Sequence, residues 1–176
     1  FPGHDDWDNY CRELDIANAV CSTRYTADGV EFTREYFASA VDQVIVVRLS
    51  SGEKGRITCK LGFSSEHGNY QTSVEDGMLL LEGVTSSMEN KQGRVRFQAR
   101  VMPVIEGGSL EVEGKRLAVK GADSVLVYVA MGTNFNNFRD LGGDPKRLSL
   151  VPLEKVKTRD YDSVRASHIA DHRSLF

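Results

Sequence analysis

Residues 20–39, VCSTRYTADGVEFTREYFAS, decide how the rest of the chain is read. Val20 to Thr26 form one run with a two-residue period, and Val30 to Ser39 form the next. In the second run Val30, Phe32 and Arg34 alternate with Glu31, Thr33 and Glu35. A period of two places successive side chains on opposite faces, which is the geometry of a strand. Between the runs sits Asp28-Gly29, a dipeptide that supplies the two positive φ angles a type I′ turn requires. The stretch therefore predicts an antiparallel hairpin.

The same rhythm extends outward. DQVIVVRLS (42–50) is a β-branched run of the kind buried on both faces or at the centre of a sandwich. GRITCKLGF (55–63) is a further strand, and QTSVEDGMLLLEG (71–83) repeats the hairpin signal at Asp76-Gly77. RVRFQARVMPV (94–104) alternates Val95, Phe97, Ala99 and Val101 with Arg94, Arg96, Gln98 and Arg100, and its basic face reads as a solvated outer surface. GGSLEVEGKRLAVKG (107–121) gives a third hairpin and DSVLVYVAMG (123–132) a last, apolar strand. Turns at intervals of roughly ten residues fit an antiparallel β-sandwich, not βαβ units. No internal repeat beyond the hairpins is visible.

Near residue 132 the pattern changes. GTNFNNFRDLGGDPKRL (132–148) is rich in Gly, Asn and Asp, and Asp144-Pro145 marks a helix start with Pro at the first helical position. Helical periodicity runs from there to Phe176, with Pro152 expected to break or delay it. Tyr161, Val164, His168, His172 and Leu175 share a face, with Ile169 and Phe176 beside them. The expected organisation is a mostly β chain: an antiparallel sandwich over 1–132, incomplete at its N-terminus, then a loop and helical linker segment over 133–176.

The 176 residues suffice for one hydrophobic core. A formal net charge of −3 gives no basic footprint, so no nucleic-acid partner is expected. No apolar run approaches the roughly 18 residues of a membrane span, so no membrane partner is expected either. Three cysteines, Cys11, Cys21 and Cys59, lack CxxC spacing and read as thiols; Cys11–Cys21 or Cys21–Cys59 bridges are the alternatives in an exported protein.

Chemistry-bearing patterns are few. His168 and His172 stand four apart with Asp171 between them, near the spacing of zinc hydrolases. The acid is Asp, and no third ligand stands out because His4 and His67 are remote in sequence. The preferred reading is that His168 packs or caps while His172 faces water, and no metal or cofactor is expected. Trp7 and Tyr10 among Asp5, Asp6 and Asp8 resemble a sugar platform, weighed against an aromatic pair that pins a loose segment. The 25 Asp and Glu residues contain no pair that spacing alone nominates for glycoside hydrolysis. G-x-S-x-G, P-loop and N-x-[ST] motifs are missing from the sequence.

Four blocks carry a family resemblance over the whole chain: FPGHDDWDNYCRELDIANAV (1–20), YTADGVEFTREYFASAVDQVIVVRLSS (25–51), GTNFNNFRDLGGDP (132–145) and HIADHRSLF (168–176). In order and spacing they resemble the N-terminal β-sandwich domain of glycoside hydrolase family 95, the α-L-fucosidase-like enzymes. His172 stands where that family usually has Tyr, and Cys11 where it has a polar residue. The resemblance implies that the parent hydrolyses α-L-fucosides with inversion and that its acid and base lie in an (α/α)6 barrel following this segment. It implies no catalytic residue at any position here.

The expectation is thus a non-catalytic fragment, inactive alone, whose partner is the missing barrel of the same polypeptide. Export to the periplasm, cell surface or medium follows from the resemblance only. Asn134, Asn136 and Asn137 are the expected substrate-rim residues, and Trp7, Tyr70 and Phe138 the candidates for stacking on a fucosylated glycan. The alternative is a stand-alone carbohydrate-binding module. An open sheet edge and an exposed helix face are expected to drive self-association.

Overall fold

The structure is a computed structural model and describes residues 1–175; Phe176, counted above with the apolar face of the last helix, lies outside the described residues. Eleven strands are followed by two helices: β1 Asp8–Asp15, β2 Val20–Ala27, β3 Val30–Ser39, β4 Val44–Ser51, β5 Ile57–Leu61, β6 Asn69–Glu75, β7 Met78–Val84, β8 Arg96–Glu106, β9 Ser109–Glu113, β10 Arg116–Ala122, β11 Ser124–Thr133, α1 Pro145–Val156 and α2 Tyr161–Arg173. Eight strands form one antiparallel sheet in the order β1-β2-β3-β4-β11-β8-β7-β6, and three form a second in the order β5-β10-β9. The expected sandwich of antiparallel strands with a helical C-terminal segment is therefore present.

The hairpins form where the dipeptides place them. Asp28 and Gly29 have φ of 49° and 75°, and Asp76 and Gly77 have 50° and 74°. Both central residues are thus left-handed, as a type I′ turn demands. Strand β1 has no counterpart among the strands read from the sequence. It is an edge strand exposed over almost its whole length, so it lacks the apolar alternation that marks a half-buried strand.

The large sheet is covered on both faces. On one side Leu49, Leu79, Val101, Val125 and Val127 pack with Ile57, Cys59, Leu117 and Val119 of the small sheet. On the other, Val46, Met102, Tyr128 and Ala130 pack with Leu153 and Val156 of α1 and Val164 of α2. Odd and even residues of β11 go to opposite cores, which is why DSVLVYVAMG carries apolar residues in succession. The three-layer arrangement revises the reading of the basic face of β8. Gln98 is buried and Arg100 only 3% exposed, because both lie on the helix side. Arg100 reaches the Glu75 carboxylate at 3.5 Å.

Pro152 was expected to interrupt the helix, yet α1 runs through it to Val156. A mid-helix proline costs about 3 kcal/mol. Leu153 and Val156, the residues beyond it, are fully buried against the sheet, and each contributes about 1.5–3 kcal/mol. Burial outweighs the lost N–H bond. The start of α1 agrees with the sequence: the Asp144 carboxylate accepts the Arg147 N–H at 3.1 Å, with Pro145 next to it.

Helix α1 lies so close to β11 that Gly132 is obligatory. A Cβ there would sit 2.4 Å from Leu148 Cβ and 2.9 Å from the Pro145 carbonyl oxygen. Replacing Gly132 with Val is expected to lower stability by about 1–3 kcal/mol in urea unfolding. Gly68→Ala, where an added Cβ meets nothing within 4 Å, should change it by less than about 0.5 kcal/mol. Equal effects at the two sites would refute the close helix–sheet contact.

Helix α2 is capped by Asp160, whose carboxylate accepts the Ser163 N–H at 2.8 Å and the Ser163 hydroxyl at 2.6 Å. The hydroxyl bond and then the amide bond hold the Asp160 carboxyl below its ordinary pKa. A folded-state pKa below the unfolded one gives stability that is present above about pH 4 and is lost as pH falls through the folded value. Asp160→Ala should lower the unfolding midpoint at neutral pH, and the gap from the parent should close on acidification. A gap that widens in acid would contradict the cap.

Candidate functional site

The loop joining β11 to α1 folds back on itself around Asn134. The Asn134 side chain is buried, accepting the Arg96 backbone N–H at 2.7 Å and donating to the Leu141 carbonyl at 3.0 Å. Its backbone carbonyl accepts the Gly143 N–H at 3.0 Å. Asn136 donates its side-chain amide to Asp140 at 2.9 Å, and the Asn137 side-chain oxygen accepts the Arg139 N–H at 3.0 Å. The Asn136 bond and then the Gly142 N–H hold the Asp140 carboxyl below its ordinary pKa. Asn136 and Asn137 are exposed, while Asn134 faces the fold and fixes the loop to the start of β8.

This bonding holds the loop tip outward. Phe138 is 82% exposed, with the Arg139 guanidinium 4.9 Å from its ring centroid, and Phe135 is half exposed. Below the loop, Met131, Leu148, Val151 and Pro152 line a groove of about 850 Å³. Apolar side chains of this size held in water mark a contact surface.

On the other flank of the loop a second groove, of about 730 Å³, lies between the β6–β8 end of the large sheet and the start of α1. Tyr70 forms one wall and Arg96 and Lys146 part of the rim. Its floor holds a chain of hydrogen bonds: Gln71 and Gln98 each donate an amide N–H to one oxygen of Glu82, and Ser149 donates its hydroxyl to Gln98 at 2.8 Å. The chain fixes the Glu82 carboxylate while leaving lone pairs on each oxygen. An aromatic wall beside a fixed carboxylate is suited to polyol hydroxyls. Glu82, Gln71 and Gln98 were missed in the sequence because they come from three strands and converge only across the sheet.

The three stacking candidates do not converge. Tyr70 lines the groove just described, Phe138 crowns the loop, and Trp7 lines a separate cavity beside β1–β3. Trp7 and Tyr10 do form a pair, with ring centroids 5.0 Å apart and planes tilted by 48°.

The two histidines of the last helix have structural work. His168 donates from Nε2 to the Ala19 carbonyl at 3.1 Å and His172 to the Ile16 carbonyl at 2.9 Å, so both clasp the β1–β2 turn. Among the described residues no three His, Cys, Asp or Glu side chains come together as metal ligands. The three cysteines are free thiols. Register explains why Cys11 and Cys21 do not bridge: Cys11 faces Arg24, and Cys21 faces Leu14. Burial pushes the Cys59 thiol above its ordinary pKa.

A family profile described as "Glycosyl hydrolase family 65, N-terminal domain" matches residues 1–138. The chain belongs to this family. The sequence resemblance named family 95; the matched profile carries the number 65 for the same N-terminal sandwich. This glycosyl hydrolase N-terminal domain is 28% identical to "Alpha-L-fucosidase 2" of Arabidopsis thaliana over 96% of its own length and 23% of the relative's. It is 26% identical to "Probable alpha-fucosidase A" of Aspergillus niger over 97% of its length, again 23% of the relative's. The chain thus spans about a quarter of the length of these curated relatives. Among solved structures, "Putative kojibiose phosphorylase from human microbiome" superposes with a TM-score of 0.64 at 10% identity, over 95% of this chain and 25% of that one. At that identity the likeness concerns the fold alone.

Asn134→Ala should remove both anchors of the loop and leave the Arg96 N–H without its acceptor, costing about 2–3 kcal/mol. Asn137→Ala, at an exposed position, should cost less than about 0.5 kcal/mol. Thermal or urea unfolding distinguishes the two, and a neutral Asn134→Ala would show that the loop does not depend on that side chain.

Proposed function

We propose that this domain is the non-catalytic N-terminal support of an α-L-fucosidase-type glycoside hydrolase. The hydrolytic groups, in an inverting (α/α)6 barrel, would lie in polypeptide outside this chain, and export from the cell belongs to the same proposal. One observation carries the reading: two relatives named as α-fucosidases match nearly all of this chain, which accounts for only about a quarter of each. The exposed apolar surface formed by Phe135, Phe138, Met131 and Leu148 supports it, because such a surface is suited to packing against a neighbouring domain.

In this reading the 134–143 loop is held rigid so that Phe138 and the exposed amides of Asn136 and Asn137 reach the barrel and the rim of its substrate pocket. The hydrogen-bonded Glu82 groove is the place where a glycan extending from that pocket would meet Tyr70. A stand-alone carbohydrate-binding role rests on that groove as well, and it differs in needing no barrel.

Assays on two preparations test the proposal: the present chain, and a longer polypeptide in which it is followed by the region that completes the relatives' length. With an aryl α-L-fucoside the longer polypeptide should turn over, and NMR should show the inverted β-anomer first. The present chain should stay at the background rate. Fucoside hydrolysis by this chain alone would overturn its supporting role. A longer polypeptide active only on other glycosides would overturn the sugar assignment.

A further inference from the structure

The small sheet covers only part of its side of the large sheet. The core beneath it draws residues from β4, β6, β7, β8 and β11 and none from β1, β2 or β3. On the β1–β3 wing, Phe37 faces the helices, so Arg34 and Tyr36 face the opposite side. There the segment leading into β1 passes in front of the sheet and encloses a cavity of about 520 Å³ with Trp7, Tyr10, Arg12, Arg34 and Tyr36 in its lining.

Three features of this cavity point to a ligand. No Asp or Glu is among the residues that line it. Arg12 and Arg34 stand on either side of Thr23 in one row across β1, β2 and β3, and neither forms an ion pair among the described residues. Arg34 is held in place by donating to the Tyr25 hydroxyl at 2.6 Å and by lying 4.1 Å from the Phe1 ring centroid. Arg12 is exposed and lines the cavity together with Cys21. Trp7 and Tyr10, each about half exposed, line the same cavity as the two guanidinium groups.

We propose that this cavity binds an acidic saccharide. A uronate carboxylate bonds to Arg12 and Arg34, and the sugar ring lies against Trp7 and Tyr10. Guanidinium groups match carboxylates through paired N–H donors. A pyranose presents apolar C–H faces to aromatic rings and hydroxyls to the Thr23 and Tyr36 hydroxyls on the cavity wall. Two arginines in a chain of net charge −3 make too small a basic surface for nucleic acid. The site is independent of the fucosidase reading and stands whatever glycoside the parent cleaves.

Trp7 is the chain's single tryptophan, so its emission reports on this cavity alone. The full chain is titrated with a trimer of galacturonic acid, following Trp7 fluorescence and, in parallel, heat of binding. The comparison ligands are a neutral galactose trimer and citrate. The expected result is saturable binding of the uronate trimer, at least tenfold tighter than either comparison ligand, and weakened about tenfold by Arg12→Gln. That variant changes an exposed side chain and should leave the unfolding transition unmoved. Absence of both heat and emission change with the uronate trimer overturns the proposal. Equal binding of the neutral trimer overturns the arginine role, equal binding of citrate overturns the sugar role, and full affinity in Arg12→Gln places the ligand elsewhere.

Discussion

The antiparallel pair of β4 and β11 at the middle of the large sheet is buried from both sides, and the rest of the domain follows from that constraint. Val127 and Tyr128 are neighbours in sequence, yet one enters the core under the small sheet and the other the core under the helices. A sheet whose central strands are apolar on both faces cannot present either face to water. The β5-β10-β9 sheet answers one side, and α1 with α2 answers the other. The helical segment therefore shares a core with the strands: Leu153, Val156 and Val164 complete the cluster that contains Val46 and Tyr128.

Close packing at this seam dictates details that are otherwise arbitrary. Gly132 is the notch that lets α1 approach β11, and Ser149, fully buried on α1, donates to Gln98 across the same contact. Through Gln98 the helix is linked to Glu82 and Gln71, so the floor of the Tyr70 groove is set by the docking of α1. The loop ahead of α1 is fixed by Asn134 at one end and by the Asp144 cap at the other. Phe138 is thus exposed on a rigid base, the usual condition for a residue that binds with little loss of conformational freedom.

The parts of this fold legible in the sequence are those governed by local rules. Asp28-Gly29 and Asp76-Gly77 fix turns through their own backbone, and Asp144-Pro145 starts a helix through its own side chain and ring. The illegible parts depend on what arrives from a distance. Arg100 follows a perfect alternation, and nothing near it reveals that a helix some fifty residues later will cover it (its i+2 neighbours are equally silent). Pro152 argues locally against a helix and is overruled by the sheet beneath Leu153 and Val156. The same limit applies to sites. Asn134 was legible as special but not as buried, and Trp7 with Tyr10 were legible as a pair, whereas Arg34 joins them only when β3 pairs beneath β2.

The clasp of His168 and His172 on the β1–β2 turn has a consequence for the order of assembly. These bonds join residues 149 and 156 positions apart, nearly the full span of the chain. Contacts between such distant positions form only after the intervening strands have gathered. The two imidazoles can latch the edge hairpin only once α2 is in place, so an emerging polypeptide holds that hairpin unlatched until α2 has been synthesised and laid across it.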